Sequence, residues 1–449
     1  MNRYRYIFGA IALAAAIGLG AYFLTRGTPS PPLPNLSPRS GDATASAEFL
    51  NAQKAVGYYQ EQMRLKPDVI KNYVQLAQLF LQEARITGNH NEYVPKATYL
   101  LEEALKRKPD DFEALITKAS LFTTLHRFQE AKELALQAIQ DNPHNAFAYG
   151  VLVDAYVEMG EYDQAVKTCD KMLSIRPDLR SYARASYLRE LHGDIEGAIE
   201  AMKLAADAGV SGREDRAWVL YNLGKLYLNT GRLDTAAHIF NGILEERPRY
   251  AHALSSLARV KGIRKEYAEA IQLYTQAIDA LPEPAFHEAL GEVYEAMENA
   301  AESERHYDLA EELYQNEKDS GEDNDAEIAK FLASHDRRLP DALTLARGAA
   351  ERRPSIQAHE TLALALFKNA LYREAHEAIQ KAMRLGTKDA SMLYLAGLIS
   401  EKLGEGTNAK QYVSRALSIN PYFSLLHSAE ANRIAGETQH PNVASIRQQ

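Results

Sequence analysis

Cysteine is almost absent from this chain: Cys169 is the only one in 449 residues. A single thiol excludes an intrachain disulfide framework and any metal site built from several cysteines. It is compatible with an oxidising compartment without requiring one. Cys169 falls on the apolar stripe of its predicted helix, so we expect a buried, unreactive thiol and not a nucleophile.

The sequence also lacks the features of a nucleic-acid binder and of an enzyme. Lysine and arginine number 51 against 60 acidic residues, the net charge is −9, and no basic stripe is present. No phosphate-binding loop, dinucleotide fingerprint or nucleophile elbow occurs. We therefore predict a protein that is not an enzyme, needs no cofactor, and binds neither nucleic acid nor a small-molecule substrate.

Metal ligands are not predicted either. The 13 histidines are scattered along the chain, and no pair has HxxxH or HExxH spacing. The triplet His335-Asp336-Arg337 resembles part of a kinase catalytic loop, but it lacks the residues that should follow, so we interpret it as loop sequence.

One long apolar run is present, at residues 7–24. It contains no charge and would span roughly 27 Å as a helix, close to the hydrocarbon thickness of a bilayer. Arg3 and Arg5 precede it and Arg26 follows it, which weakly favours a cytoplasmic N-terminus. We expect a cytoplasmic tail at 1–6 and an uncleaved single-pass anchor in the cell (inner) membrane at 7–24, with the body on the periplasmic side. The alternative is a cleaved signal peptide and a secreted, periplasmic protein.

The next two segments predict a spacer and a cap. Residues 27–42 are rich in proline and favour extended polyproline II, so they should hold the body away from the membrane. Residues 43–66 have the pattern of a leading helix that caps the body of the protein.

Prolines then recur at a regular spacing through the rest of the chain. They are Pro109, Pro143, Pro177, Pro248, Pro282, Pro354 and Pro421. The shorter gaps are 34 residues and the longer ones 67 to 72, about twice as long. An alanine lies 12 residues before each of these prolines. The pattern predicts a helical repeat in which three units, at 182–209, 286–314 and 359–386, have lost their proline.

The best-preserved unit is at residues 217–248. Its first helix has Gly224 and Tyr227 on one stripe, its second has Ala236 and Phe240, and Pro248 ends it. The same positions in other units are occupied by Ala165, Ala270, Pro282, Ala409 and Pro421. On these residues the chain resembles the tetratricopeptide repeat (TPR) family from about residue 70 to 421. The resemblance implies an all-α fold, a right-handed α-solenoid of about ten helical hairpins behind the transmembrane helix and linker.

Three departures from the repeat suggest where domains and loops lie. We predict an N-terminal TPR lobe at 70–315, an acidic solvated loop at 316–327, a C-terminal lobe at 328–421, and a trailing cap with a frayed tail at 422–449. The acidic loop could instead dock a basic partner. The first unit is eight residues too long, and we assign the excess to a widened loop near 85–95. The irregular connection at 209–215 suggests a change in the direction of the groove.

The resemblance also implies a binding groove. In TPR proteins the first helices of successive hairpins line a concave surface that binds peptides or partner helices, with positions two, five and nine facing inward. These positions hold Trp218, Tyr221 and Lys225, and Arg259 in the next unit. A tryptophan beside cations suits a peptide with acidic groups, unless Trp218 only packs on the preceding unit.

The function predicted from the sequence is that of a membrane-anchored scaffold or adaptor. It would bind partner proteins or peptides in its groove, in the assembly or organisation of a cell-envelope complex. The alternative is a non-catalytic accessory subunit that recruits an enzyme or transporter.

Overall fold

A computed structural model describes residues 35–39 and 47–436, which form 22 α-helices and no strand. The helices are α1 Ala47–Leu65, α2 Ile70–Thr87, α3 His90–Arg107, α4 Phe112–Thr124, α5 Phe128–Asp141, α6 Ala146–Glu158, α7 Tyr162–Ile175, α8 Leu179–Leu191, α9 Ile195–Asp207, α10 Glu214–Asn229, α11 Leu233–Glu246, α12 Ala251–Ile263, α13 Tyr267–Ala280, α14 Pro284–Ala296, α15 Ala300–Asp319, α16 Asp325–Ser334, α17 Leu339–Arg352, α18 Ile356–Lys368, α19 Tyr372–Ala382, α20 Ala390–Lys402, α21 Gly406–Ile419 and α22 Ser428–Ala435. The predicted tail at 1–6, the anchor at 7–24, most of the spacer and the residues after 436 lie outside the described residues. Within the described ranges, no helix has the length and apolar character needed to cross a membrane.

Helices α2 to α21 pair in sequence order into ten hairpins, which we number 1 to 10. Hairpin 1 is α2 with α3, and hairpin 10 is α20 with α21. The three units without a proline form hairpins 4, 7 and 9, so the prediction of ten hairpins is confirmed. First helices often begin at a side chain that caps the free N–H groups, as Asp111, Asn145 and Asp178 do.

Small residues lie where the two helices of a hairpin cross. In hairpin 5, a Cβ added to Gly224 would lie 2.3 Å from the ring of Phe240, so only glycine allows this approach. Ala236 and Phe240 are completely buried beside it. The equivalent alanines of other hairpins, Ala165, Ala270 and Ala409, are 0 to 2% exposed. The predicted stripe of small residues is therefore the contact surface between paired helices.

Two predicted loops are wrong because their residues extend helices. Helices α2 and α3 have 18 residues each, and only Gly88 and Asn89 separate them. The extra residues of the first unit therefore lengthen both helices, with Pro95 inside α3. The acidic segment 316–327 is also mostly helical, because α15 continues to Asp319 and α16 begins at Asp325.

The acidic segment is paired with cations and does not divide the array. Asp323 and Asp325 both form ion pairs with Arg352, at 2.8 and 2.6 Å. One apolar cluster contains Tyr307 from α15 and Phe331 from α16, so the core is continuous across the predicted lobe boundary.

Helices cover both ends of the array. At the start, α1 buries Phe49 and Val56 against hairpin 1. At the other end, Phe423 and α22 cover hairpin 10, where Ala431 is completely buried.

Part of the proline-rich segment is packed against the body, contrary to its expected role as a spacer. Leu36 and Arg39 are 4 and 6% exposed. Arg39 donates two hydrogen bonds to the carboxylate of Glu83 on α2, at 2.6 and 3.0 Å. Ser37 donates its hydroxyl to Glu92 on α3. Residues 35–39 therefore dock on hairpin 1, because Arg39 pairs there with the buried carboxylate of Glu83.

The most important feature of the architecture is that successive turns of the superhelix touch. Hydrogen bonds join hairpins 2 to 5 to the next superhelical turn. In each case the partner is the segment that follows the hairpin five units further along the chain. They run from the Asp323 N–H to the Leu125 carbonyl (3.1 Å), from the Ile356 N–H to the Tyr162 hydroxyl (2.7 Å), from the Thr387 hydroxyl to the Leu191 carbonyl, and from the Asn420 amide to the Leu228 carbonyl (3.2 Å). One superhelical turn thus takes between five and six hairpins.

This register also corrects the prediction of a change in direction at 209–215. Hairpin 4 meets the segment after hairpin 9, and hairpin 5 meets the segment after hairpin 10. The pairing is the same on both sides of the irregular connection, so the superhelix continues through it.

Candidate binding cavity

The first superhelical turn surrounds a continuous cavity of about 2440 Å³ that is open to solvent. Its wall is made by the first helices of hairpins 1 to 5, the start of α12, the connection between α13 and α14, and the end of α15. A site for one small ligand typically occupies about 300 to 1,000 Å³. The cavity is therefore large enough for a segment of polypeptide, and it is lined by the helices that the resemblance predicts.

A strip of four side chains follows this wall, one from each of hairpins 3 to 6. The strip comprises Phe147, Arg180, Trp218 and His252. Each lies 18 residues before the small alanine of its own second helix, so the strip repeats the same helical position. The Arg180 guanidinium lies 5.6 Å from the centre of the Phe147 ring. The strip therefore presents one cation, Arg180, among three aromatic rings to the cavity.

Of the four predicted groove residues, Trp218 and Lys225 line the cavity. Trp218 is 42% exposed, so its ring is open to the cavity and does not only pack on the preceding unit. Tyr221 lies behind them, stacked on His252 at 5.1 Å between ring centres and covered by Lys225 at 5.5 Å.

Arg259 has a different role from the other three. Its guanidinium donates to the Phe423 carbonyl at 3.0 Å, so it holds the trailing segment against hairpin 6. Sequence reasoning missed this contact because 164 residues separate the two partners.

Sequence reasoning also missed Arg180, which is the cation of the strip. Burial, together with the neighbouring Arg184 and Arg85, lowers the pKa of Arg180. Arg184 is neutralised by Asp154, with bonds of 2.9 and 2.5 Å. Among the described residues, Arg180 forms no such ion pair. The signal that could have found it was its position, equivalent to that of Trp218 in the next hairpin.

Part of the cavity wall is desolvated. Burial raises the pKa of Glu158 and of Glu190, and Lys225 partly offsets the effect at Glu190. Burial lowers the pKa of His252 to about 4, so this ring is neutral at pH 7. Charges on a ligand would therefore interact with these desolvated groups more strongly than in water.

A second polar cluster lies in hairpins 7 and 8. Glu288, Glu292 and His335 each offer one donor atom, and these atoms all lie within 4.8 Å of one another. Glu288 and Glu292 occupy the positions in hairpin 7 that Tyr221 and Lys225 occupy in hairpin 5. Burial, and then the neighbouring Glu288, raise the pKa of Glu292 to about 7. Sequence reasoning interpreted His335 as a loop residue, because its 43-residue distance from Glu292 gives no spacing motif.

A third cluster lies where hairpins 1 and 2 meet hairpin 7 of the next turn. Glu322 accepts from His90 at 3.4 Å and lies 3.8 Å from His126. The hydrogen bond to Glu322 raises the pKa of His90, while burial raises the pKa of Glu283 and of Glu317 to about 7. We therefore expect the contact between turns to respond to pH.

Cys169 is buried in the core of hairpins 3 and 4, which confirms the prediction of a buried thiol. Burial raises its pKa to about 11, so the thiol stays protonated at neutral pH.

The chain is similar to proteins built from the same repeat. Models of the tetratricopeptide repeat match residues 124–189, 221–283 and 360–422. Anaphase-promoting complex subunit 3 of Schizosaccharomyces pombe is 23% identical over 181 residues, 39% of this chain and 27% of the relative. Cellulose synthase operon protein C of Pseudomonas fluorescens is 22% identical over 184 residues, 39% of this chain and 14% of the relative. The chain thus spans far less than two thirds of either relative's length.

A solved structure also matches part of the chain. A thermophilic TPR protein of Thermus thermophilus has a TM-score of 0.37 and 24% identity, covering 45% of this chain and all of the other.

Ten stacked hairpins around an internal cavity define an α-solenoid. The matches to the repeat models show that residues 124–189, 221–283 and 360–422 contain tetratricopeptide repeats. Proteins built from this repeat mediate interactions between proteins.

Proposed function

We propose that this protein is a membrane-anchored scaffold that binds an extended segment of a partner protein inside its first superhelical turn. The strip of Phe147, Arg180, Trp218 and His252 in the large cavity is the observation that carries this proposal. Exposed aromatic rings and arginines are the side chains that most often dominate binding energy at protein interfaces.

The charges of the wall indicate which partner segment fits. Arg180 and Trp218 line the cavity at the same position of successive hairpins, and Lys225 extends from the same helix as Trp218. Among the described residues, Arg180 forms no ion pair with an acid. A segment with an acidic side chain next to an apolar one would pair with Arg180 and stack on Trp218.

The anchor and the compartment belong to the same proposal. Residues 7–24 would hold the protein in the cell membrane, with the repeats on the periplasmic side, in the assembly or organisation of an envelope complex. The apolar run and the flanking arginines support this arrangement. If the run is cleaved, the same repeats would act in the periplasm.

A related role is that of an accessory subunit whose partner is an enzyme or transporter. The two roles differ in the partner and not in the cavity. A partner whose catalytic or transport activity changes when the repeats are removed would favour the accessory role.

The binding proposal is tested by substitution in the strip. A photo-crosslinking residue is placed at Asn222, which lines the cavity, and the captured partner is identified. The affinity of that partner is then measured for Trp218→Ala, for Arg180→Ala and for the control Leu136→Ala. Leu136 is 39% exposed on α5 and does not line the cavity.

Loss of a binding hot spot costs about 2 kcal/mol or more, roughly 30-fold in affinity. We expect that loss for Trp218→Ala and no change for Leu136→Ala. Equal affinities for all three variants would contradict the proposal. Mass spectrometry of the mature N-terminus in membrane and soluble fractions tests the anchor, since an intact 7–24 in the membrane fraction is expected.

A further inference from the structure

We propose that Glu288, Glu292 and His335 bind one divalent transition-metal ion of the zinc class in the second superhelical turn. The cluster lies on hairpins 7 and 8, away from the strip of the first turn, and the proposal is independent of the bound peptide. Its three donor atoms come from the first helix of hairpin 7 and from the turn that ends α16.

The spacing of the donors is close to that of a metal site. Ligands about 2.0 to 2.2 Å from a tetrahedral zinc ion lie roughly 3.4 Å from one another. The His335 Nε2 and Glu288 Oε1 atoms are already 3.1 Å apart. All three donors lie within 4.8 Å, so a change of side-chain rotamer at Glu292 would bring the set to bonding distance.

The imidazole is held in position before any ion binds. The side chain of His335 is 4% exposed. Its ring lies 4.1 Å from that of Tyr307 and 5.2 Å from that of Phe331. The Tyr314 hydroxyl donates to the other oxygen of Glu288 at 3.4 Å. Contacts of this kind fix the orientation of metal ligands and strengthen binding.

Glu292 is the member of the cluster that lacks a partner. In the part of the chain that the structure describes, its carboxylate makes no hydrogen bond or ion pair, although it is partly buried and faces Glu288 one helical turn away. Two carboxylates so placed repel each other, and a divalent cation between them would replace this repulsion with attraction.

Nearby cations leave the position between the donors free. Arg259 is engaged with the Phe423 carbonyl at 3.0 Å, and Lys330 lies 3.7 Å from Glu360. Two carboxylates with one imidazole suit zinc, manganese or iron, whereas magnesium and calcium prefer sets made only of oxygen. Three protein ligands leave a fourth position for water or for a group from a bound partner.

The test is metal binding by the untagged full chain. After dialysis against a chelator, Zn²⁺ is titrated by calorimetry and Co²⁺ by its visible absorption. We expect saturation at one ion per chain. Glu292→Gln and His335→Gln should each weaken binding about tenfold or more, whereas Glu312→Gln, an exposed change on α15, should not. Because Glu292→Gln removes a repulsion and keeps the bond between Glu288 and His335, the metal-free variant should melt no earlier than the unaltered chain.

A competing location is the pair His287 and His306, whose Nδ1 atoms are 3.0 Å apart. The variant His306→Gln separates the two sites. Retained binding in His306→Gln together with loss in Glu292→Gln supports the proposal. Absence of saturable binding, binding unaffected by Glu292→Gln, or binding lost only with His306→Gln would each overturn it.

Discussion

The contact between superhelical turns can be tested by adding one methyl group at Gly193. This glycine lies in the turn of hairpin 4 with φ of 75°, and a Cβ there would lie 2.6 Å from the carbonyl oxygen of Gly386 in the next turn. Gly404 has the same place in the turn of hairpin 10, with φ of 80°, but a Cβ there would meet nothing within 4 Å. The pair of variants Gly193→Ala and Gly404→Ala therefore separates the contact from the backbone conformation.

The expected magnitudes follow from these two geometries. Left-handed backbone costs an alanine about 1 to 2 kcal/mol, and both variants carry this cost. Only Gly193→Ala must also move a backbone oxygen of the next turn, and overpacking of this kind costs roughly 1 to 3 kcal/mol. The bond from Thr387 to the Leu191 carbonyl lies beside this contact and should weaken with it.

Urea denaturation gives the stability of each variant, and small-angle X-ray scattering gives its dimensions. We expect Gly193→Ala to unfold at lower urea than Gly404→Ala and to have a larger radius of gyration, because the turns separate. Equal stability and equal dimensions for the two variants would refute the closed arrangement of turns.

Three further predictions concern the hairpins, the docked segment and the junction between turns. Gly224→Ala should destabilise the folded protein by about 1 to 2 kcal/mol, even after the gain in helix propensity is counted. Gly242→Ala is the control, because a Cβ there meets open space, and it should stabilise the protein by roughly 0.5 to 1 kcal/mol. Equal urea midpoints for the two variants would contradict this prediction. Arg39→Ala leaves the buried carboxylate of Glu83 unpaired, so it should lower the free energy of unfolding, measured with urea, by about 3 to 5 kcal/mol. The control is Arg64→Ala, a change at an exposed arginine. If Arg39→Ala loses no more stability than this control, residues 35–39 do not dock. Burial raises the pKa of Glu317 from 4.5 to about 7 in the folded state. Between these two pH values the folded state binds more protons than the unfolded state, so stability should fall as the pH rises. Glu317→Gln should therefore flatten the pH dependence of the urea midpoint, and an unchanged slope would contradict the assignment.

Local periodicity was sufficient to predict the hairpins, but not how they meet at long range. The small residues before each proline, such as Ala236, mark the helix crossing inside a unit, so each unit could be located from the sequence. Contacts between turns join residues almost two hundred positions apart, and Gly193 looks like any other turn glycine. No local pattern encodes such a contact.

The candidate sites also divide into residues that local periodicity could place and residues that depend on long-range contacts. Trp218 and Lys225 could be placed in the cavity because the repeat fixes which positions face inward. Arg259 was misplaced because the trailing segment returns to cover hairpin 6. His335 was missed because its partners lie in a different hairpin and no short motif connects them.

The hydrogen bonds between turns change how the repeats of this array are coupled to one another. An open solenoid behaves as a one-dimensional stack, in which each repeat contacts only its two neighbours and the two ends of the array can unfold independently. Here hairpins of the first turn also bond to segments five hairpins later, so the units form a lattice wrapped around a cylinder. Removal of one unit then weakens the row above or below it as well as its neighbours along the chain.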